Sequence, residues 1–122
     1  MPSAGWMHFG EPEDRAFVRS ILDSGARNLV CGNDENAALL MNMLRDMGVD
    51  IPGDVRVAAF DDVRYSRLIS VPLTTIRQPV QEIAQKAVAE LLALRSGQGA
   101  GVPATTLLDC ALIVRRSSLI AG

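Results

Sequence analysis

The chain has few of the residues on which catalytic and metal sites usually depend. Its 122 residues contain one histidine (His8), one lysine (Lys86) and two cysteines (Cys31 and Cys110). No Cys-x-x-Cys or His-x-x-x-His spacing occurs, which argues against the common zinc sites. No Ser/His/Asp set, Cys/His pair or phosphate-binding loop is visible. We therefore expect a protein that is not an enzyme and that uses no metal and no cofactor.

Long apolar runs and basic clusters are also scarce. No apolar run approaches membrane-spanning length, and the first residues, MPSAGWMHFGEPED, lack the basic start and apolar core of a signal peptide. The formal net charge is −2, and the longest basic run is the pair Arg115-Arg116. Nucleic-acid-binding domains usually present a basic face. These absences predict a cytoplasmic chain that contacts no membrane and does not bind DNA by itself.

Aromatic residues are rare at 4%, whereas apolar residues make up 48% of the chain. This balance favours aliphatic packing of the α/β type. Cys31 and Cys110 both lie in apolar, strand-like stretches, where a thiol usually behaves as a small buried hydrophobe. We expect both to be buried and free, because disulfides are rare in the cytoplasm.

The most informative stretch is Asn28–Asp62. Two short apolar runs, Leu29–Cys31 and Val55–Phe60, flank an apolar segment of helical length, Asp34–Met47. This order predicts a strand–helix–strand unit with a right-handed parallel crossover. Continuous apolar runs are typical of strands that are buried on both faces.

Each of the two predicted strands is followed by a polar doublet, Asn33-Asp34 or Asp61-Asp62. Ligands of open parallel sheets bind outside the carboxyl ends of the strands, where amides and carboxylates suit a polyhydroxylated molecule. Asn33 and Asp34 could instead cap the following helix. Asp61 and Asp62 could form a turn with a local side-chain bond, bind a metal or accept a phosphoryl group. The last requires a lysine after a later strand, whereas Lys86 lies in a predicted helix.

The remaining elements follow from local signals. A first helix opens at Glu11-Pro12 and stops at Gly25, and a short strand spans Val71–Arg77. A third helix ends at Ser96-Gly97, a flexible link covers Gly97–Pro103, and a last strand covers Thr105–Arg115. The apolar positions of the third helix recur every seven residues: Val80, Ile83, Ala84, Ala87, Val88, Leu91 and Leu92. Together these elements predict an α/β fold with a parallel, Rossmann-like sheet in a three-layer sandwich.

Four segments, CGNDENA, P-x-D-V-x-V-x-x-FDD, PLTTIRQP and LIVRRSS, occur in this order. Together they resemble the C-terminal part of the effector-binding domain of LacI/GalR-family transcriptional regulators, from Glu11 to Leu119. The resemblance implies a type I periplasmic-binding-protein-like fold, in which two lobes close around a sugar or nucleobase and three chain crossings join them. It also implies a longer regulator, with the helix-turn-helix headpiece, most of the N-terminal lobe and the first strand of the C-terminal lobe outside these 122 residues.

The resemblance divides the chain into three parts and leaves the C-terminal lobe incomplete. Residues 1–75 correspond to that lobe, residues 76–104 to a crossover and helix that belong to the N-terminal lobe, and residues 105–122 to the return strand. The apolar stripe of the third helix would then face a lobe outside the chain. We expect this helix to fold back, to swap with a neighbouring chain or to meet a separate partner.

The resemblance also implies roles for individual residues. The family places its Asn-Asp pair at the ligand cleft and the first Asp of its later doublet on the sugar. Asn33, Asp34 and Asp61 are therefore expected to bind effector. Trp6 is a further candidate, because an aromatic residue near the corresponding loop often touches effector.

The Met-rich helix Asp34–Met47 could belong to the core alone. The resemblance favours an interface on its outer face, because this helix and the loop matching Arg67–Ile69 correspond to the family's subunit interface. The residues expected to form a dimer interface are Ala37, Leu40, Met41, Leu44, Arg67 and Ile69. The pair Arg115-Arg116 is predicted to be a solvated strand end, whereas the resemblance implies a structural role for it.

The function implied is ligand sensing and dimerisation within an allosteric regulator that binds a small-molecule effector, a sugar or sugar acid. DNA would be bound only through the headpiece, and effector must bind two states unequally to change DNA affinity. The alternative is a fragment of a periplasmic sugar-binding transport receptor, which has the same fold.

Overall fold

A computed structural model describes residues 8, 10–97 and 105–120 of the chain. In chain order, its elements are α1 (Arg15–Asp23), β1 (Asn28–Val30), α2 (Asp34–Asp46), β2 (Arg56–Asp61), the 3-10 helix η1 (Arg64–Arg67), β3 (Thr74–Arg77), α3 (Val80–Arg95), β4 (Ala111–Ile113) and the 3-10 helix η2 (Arg116–Ser118).

Helices and strands alternate as predicted, and the sheet has the order β1-β2-β3-β4. Strands β1, β2 and β3 are parallel, whereas β4 is antiparallel to β3. The α/β class and Rossmann-like parallel arrangement are confirmed, with β4 making the sheet mixed.

Helix α1 begins at Arg15, later than the predicted start at Glu11-Pro12. Its N-cap is Asp14, whose Oδ1 accepts hydrogen bonds from the N–H groups of Ala16 at 2.9 Å and Phe17 at 3.4 Å. A carboxylate satisfies free N–H groups that a proline cannot. The helix ends just before Gly25, whose φ of +86° lies in the left-handed region that glycine adopts without strain.

The core forms where α1 and α2 pack together and α2 packs against β2. Along β2, the buried Val57 and Ala59 alternate with the half-buried Ala58 and the exposed Phe60, and in β1 both Asn28 and Val30 are exposed. Burial on both faces, which the apolar runs predict, is therefore wrong for β1, because Asn28 and Val30 lie on the same face of the strand. The buried apolar cluster comprises Val18, Ala37, Leu40, Met41, Leu44, Ile51, Val55, Val57, Ala59 and Leu73.

Strand β4 is shorter than the predicted Thr105–Arg115. It pairs with β3 from Ile113 opposite Thr75 to Ala111 opposite Arg77. Arg77 is the last residue of β3, so the residues before Ala111 extend past its end and have no partner strand there. Cys110 is consequently exposed, and its predicted burial is wrong. Cys31 is half-buried, and burial raises the pKa of its thiol from 9.0 to about 11.

No residue of α3 is buried, and Val80, Leu91 and Leu94 are 66%, 66% and 60% exposed. The expectation that this helix folds back on its own lobe is wrong. Its large apolar side chains stay exposed, and none of them belongs to the buried apolar cluster of this lobe. A swap or a separate partner, and the assignment of residues 76–104 to another lobe, remain predictions. No helix within the described ranges is long and apolar enough to cross a membrane.

Candidate functional site

Polar side chains gather where the three parallel strands end. β1 leads into Asn33, β2 ends at Asp61, and β3 ends at Arg77, which is followed by Gln78. The sheet register pairs Asp61 with Arg77. Because the carboxyl ends of parallel strands meet at one edge of a sheet, these groups lie along the same edge. We call Asn33, Asp61, Arg77 and Gln78 the strand-end edge.

Asp61 and Asp62 have unusual backbone conformations, with φ of +126° and +59°. Residues other than glycine seldom adopt positive φ, and each such residue costs on the order of 1 kcal/mol or more. The Asp61 carboxylate is half-exposed at the strand-end edge, where its Oδ1 accepts a hydrogen bond of 2.7 Å from Nε2 of Gln78. Such strain persists only where neighbouring groups hold it, and it concentrates at ligand sites.

Within the described ranges, the Asp62 carboxylate, unlike that of Asp61, forms ion pairs with two arginine residues. Its Oδ2 accepts a hydrogen bond of 2.6 Å from Nε of Arg77, and its Oδ1 accepts one of 2.7 Å from Nη2 of Arg115. Burial opposes ionisation of this carboxyl, but the two guanidinium groups outweigh burial, and the pKa of Asp62 falls below its ordinary value. We call Asp62, Arg77 and Arg115 the arginine clasp. It ties the outgoing end of β3 to the chain that returns after β4.

The returning chain is fastened by further hydrogen bonds. Arg115 donates from Nη1 to the Leu73 carbonyl at 3.0 Å, and its backbone N–H donates to Oγ1 of Thr74 at 2.8 Å. Ser117 is fully buried; its Oγ accepts from the Thr74 N–H and donates to the Val57 carbonyl. The predicted solvated strand end is therefore wrong for Arg115, although Arg116 is exposed.

Asn33 is the N-cap of α2, since its Oδ1 accepts a hydrogen bond of 2.8 Å from the Asn36 N–H. The capping alternative is therefore realised at this position. The side chain is half-exposed, and its Nδ2 donates to no other described residue. The amide group can thus still donate to a ligand while its oxygen caps the helix.

Asp34 does not face solvent, and its expected contact with effector is wrong. Asp34 is fully buried, and its Oδ2 accepts hydrogen bonds from the Val63 N–H at 3.0 Å and from the Ser66 hydroxyl. Its Oδ1 accepts a bond of 2.5 Å from Oγ1 of Thr75. Three donors inside the protein leave this carboxylate no open side for a ligand. Trp6, the remaining candidate, lies outside the described residues.

Tyr65 is a site residue that the sequence did not reveal. It is 38% exposed, and its pKa is raised by burial and then by the negative charges of Glu35, Asp34 and Asp61. Tyr65 lies in η1, which begins three residues after the end of β2 at Asp61. Arg77 and Gln78 were also missed. Their one signal is their position at the carboxyl end of a strand, as with Asp61.

Four of the expected interface residues point inward. Ala37, Leu40, Met41 and Leu44 are 0%, 5%, 6% and 0% exposed. Helix α2 uses this stripe to pack on its own sheet, although Met41 also lines a groove on the surface. Arg67 is exposed, and Ile69 lines a shallow groove of about 170 Å³. The outer residues of α2 that line the same groove are Ala38, Asn42 and Arg45.

The described ranges contain no group of three or more His, Cys, Asp or Glu residues arranged to hold a metal ion. The strand-end edge instead combines carboxylate, amide and guanidinium groups at the carboxyl ends of parallel strands. This is the position at which open α/β sheets bind small molecules.

Residues 8–118 match the family of periplasmic binding protein-like domains, and the chain belongs to that family. Its relatives are transcriptional regulators, and the resemblance to the LacI/GalR group is confirmed. The HTH-type transcriptional regulator GalR of Escherichia coli K12 is 34% identical over 116 residues, which cover 91% of this chain and 33% of GalR. The repressor CytR of the same organism is 34% identical over 88 residues, covering 72% of this chain and 26% of CytR. The chain thus spans a third or less of these relatives.

Solved structures agree. The lac repressor dimer bound to operator and the anti-inducer ONPF superposes with a TM-score of 0.74 at 28% identity, over 84% of this chain and 31% of that one. CcpA of Lactococcus lactis superposes with a TM-score of 0.80 over 92% of this chain and 41% of that one. At 22% identity, the CcpA match supports the fold alone.

Proposed function

We propose that the chain is an effector-sensing part of a LacI/GalR-type transcriptional regulator and that its strand-end edge supplies one wall of the effector site. The observation that carries this proposal is Asp61. Its carboxylate is half-exposed at the edge, on a left-handed backbone that is held in place beside the arginine clasp. The role is recognition and needs no catalytic group. The regulator relatives favour it over the transport receptor.

The chemistry of the edge suits a sugar or a sugar acid. Asp61 can accept hydrogen bonds from hydroxyl groups, and the Asn33 amide can donate one. The partly exposed ring of Tyr65 can pack against the C–H face of a sugar ring. A sugar acid would find its counter-charge at Arg77, whose side chain is 56% exposed even though Asp62 holds its Nε.

Regulation requires more than this lobe. We propose that the complete protein is a homodimer, that the groove beside Ile69 and the exposed Arg67 lie at its interface, and that DNA is bound through a separate headpiece in the cytoplasm. Effector would shift DNA affinity only if it binds two arrangements of the lobes unequally.

The direct test is a titration of the ¹⁵N-labelled chain with neutral sugars and sugar acids, followed by amide chemical shifts. One lobe provides only part of the contacts. Splitting them weakens affinity from about micromolar to about millimolar, a change of about 4 kcal/mol. We therefore expect little thermal stabilisation at low-millimolar sugar but saturable shifts at Asn33, Asp61 and Gln78.

The variant Asp61→Asn should remove these shifts, because the amide replaces an anionic acceptor. The matched control is Asp109→Asn, which changes an exposed carboxylate ahead of β4 and should leave them intact. Saturable shifts that cluster elsewhere, or none with any sugar tested, would contradict the proposal. Stabilisation by several degrees at low-millimolar sugar would show that one lobe suffices.

A further inference from the structure

The buried carboxylate of Asp34 connects three parts of the fold. Asp34 is the first residue of α2, its Oδ2 contacts Val63 and Ser66 in the segment after β2, and its Oδ1 contacts Thr75 in β3. No Lys or Arg nitrogen lies within ion-pair distance of this group among the described residues. Its charge is balanced by hydrogen bonds and by the amino-terminal end of the α2 dipole.

Local helix stability does not account for this arrangement. Asn33 already caps α2 through the Asn36 N–H. All three hydrogen bonds to the Asp34 carboxylate come instead from the β2–η1 segment and from β3. A buried carboxylate without a cation is costly unless its hydrogen bonds are satisfied. Here two of the donors, Val63 and Ser66, follow Asp62 in the chain, and the third, Thr75, lies in the neighbouring strand β3.

These bonds fix both sides of the left-handed residues. On the carboxyl side, the Val63 N–H is held at 3.0 Å by Asp34. On the amino side, the Asp62 N–H donates at 3.3 Å to Oγ1 of Thr75, and the same hydroxyl donates to Asp34. The backbone on both sides of Asp62 is therefore held by contacts that lead back to the Asp34 carboxylate, whereas the Asp62 side chain is held by the arginine clasp.

We propose that Asp34 is the positioning residue of the effector site: it holds the turn from Asp61 to Val63 in the conformation that presents the Asp61 carboxylate at the strand-end edge. Asp34 acts through the turn and does not touch the effector. The inference deepens the proposed function and rests on it for the ligand, but the geometry of the turn can be tested without any ligand.

The test uses the whole chain and three variants that remove one partner each: Asp34→Asn, Ser66→Ala and Thr75→Val. The last removes a hydroxyl and nearly preserves the side-chain shape. Its matched control is Thr106→Val, at an exposed position. Three-bond couplings between the amide and α protons report φ at Asp61 and Asp62. Sugar titrations and thermal melts are recorded on the same samples.

We expect the three variants to change the couplings at Asp61 and Asp62 and to weaken sugar binding about tenfold, the effect of losing one charged hydrogen bond. The control should change neither. If the variants melt earlier but keep wild-type couplings and affinity, Asp34 serves stability alone and the proposal fails. If Asp34→Asn does not fold, the couplings and sugar affinities of Ser66→Ala and Thr75→Val decide whether the proposal holds.

The two proposals fail in different ways. A wild-type chain that binds no sugar contradicts the proposed function, whereas the couplings still decide whether Asp34 sets the turn. Sugar binding in the wild type with unchanged couplings in the variants contradicts the positioning role alone.

Discussion

Replacement of Asp62 by asparagine should show how much of the stability depends on the arginine clasp. The change keeps the size of the side chain and removes its charge. The Asp62 side chain is 7% exposed and that of Arg115 is 14% exposed, whereas that of Arg77 is 56% exposed. The two ion pairs should therefore contribute differently to the free energy of unfolding. Their N–O distances are nearly equal, at 2.7 Å for Arg115 and 2.6 Å for Arg77.

Breaking a buried pair leaves an uncompensated charge and costs about 3–5 kcal/mol. An exposed pair contributes about 1 kcal/mol or less. We expect Asp62→Asn and Arg115→Met each to lower the free energy of unfolding by about 3 kcal/mol. Arg77→Met should lower it by less than about 1 kcal/mol. The matched control is Arg116→Met, which alters the exposed neighbour of Arg115.

The measurement is urea unfolding followed by circular dichroism, with stability taken from the midpoint and slope. The pH dependence supplies a second check. Because the folded pKa of Asp62 is lowered, its contribution is complete above the ordinary value of 3.8 and is lost as pH falls through the lowered pKa. The difference between wild type and Asp62→Asn should shrink in that acid range. Equal costs for the two arginine variants, or a cost below about 1 kcal/mol for Asp62→Asn, would refute the reasoning.

Three further predictions concern other parts of the chain. Asn33→Ala should cost about 1 kcal/mol in urea unfolding because α2 loses its cap; Asn36→Ala is the control, and equal losses would contradict the assignment. Iodoacetamide at pH 8 should modify the exposed Cys110 first and Cys31 slowly, since burial raises the pKa of Cys31 to about 11; equal rates would show that Cys31 is accessible. Sedimentation over a range of concentrations should reveal a dimer. If Ile69→Glu dissociates the dimer, the interface lies at the groove beside Ile69. If only Leu91→Glu dissociates the dimer, the interface lies at α3. A monomer at all concentrations contradicts both interfaces.

The sequence predicted the regular elements well because their signals are local. The runs at β1 and β2 and the helix between them need only neighbouring residues to be recognised. The antiparallel direction of β4 and its short length depend on where β3 ends, which is a property of the assembled sheet.

The roles of the polar doublets could not be separated in the same way. Asp34 and Asp61 both follow a strand, yet one is buried and the other lies at the strand-end edge. The difference arises from Ser66 and Thr75, which are 32 and 41 residues from Asp34 in sequence. No local pattern indicates that these hydroxyls will meet that carboxylate.

Helix α2 shows a related limit. Apolar residues occur around its circumference, so periodicity alone does not distinguish the side facing the sheet from the side facing outward. The expected interface residues Ala37, Leu40, Met41 and Leu44 lie on the inner side. Only the fold shows that Ala38, Asn42 and Arg45 line the outer groove.

Asp61 and Asp62 are adjacent but contact different groups, and this has a consequence for genetics. If Asp61 binds effector as proposed, a change there should leave the protein at normal abundance but unable to respond to effector. A change at Asp62 should reduce abundance, since a loss of 1–2 kcal/mol already changes cellular levels several-fold. In a repressor, the first would give a non-inducible strain and the second a constitutive one. Substitutions in neighbouring codons would therefore produce opposite phenotypes.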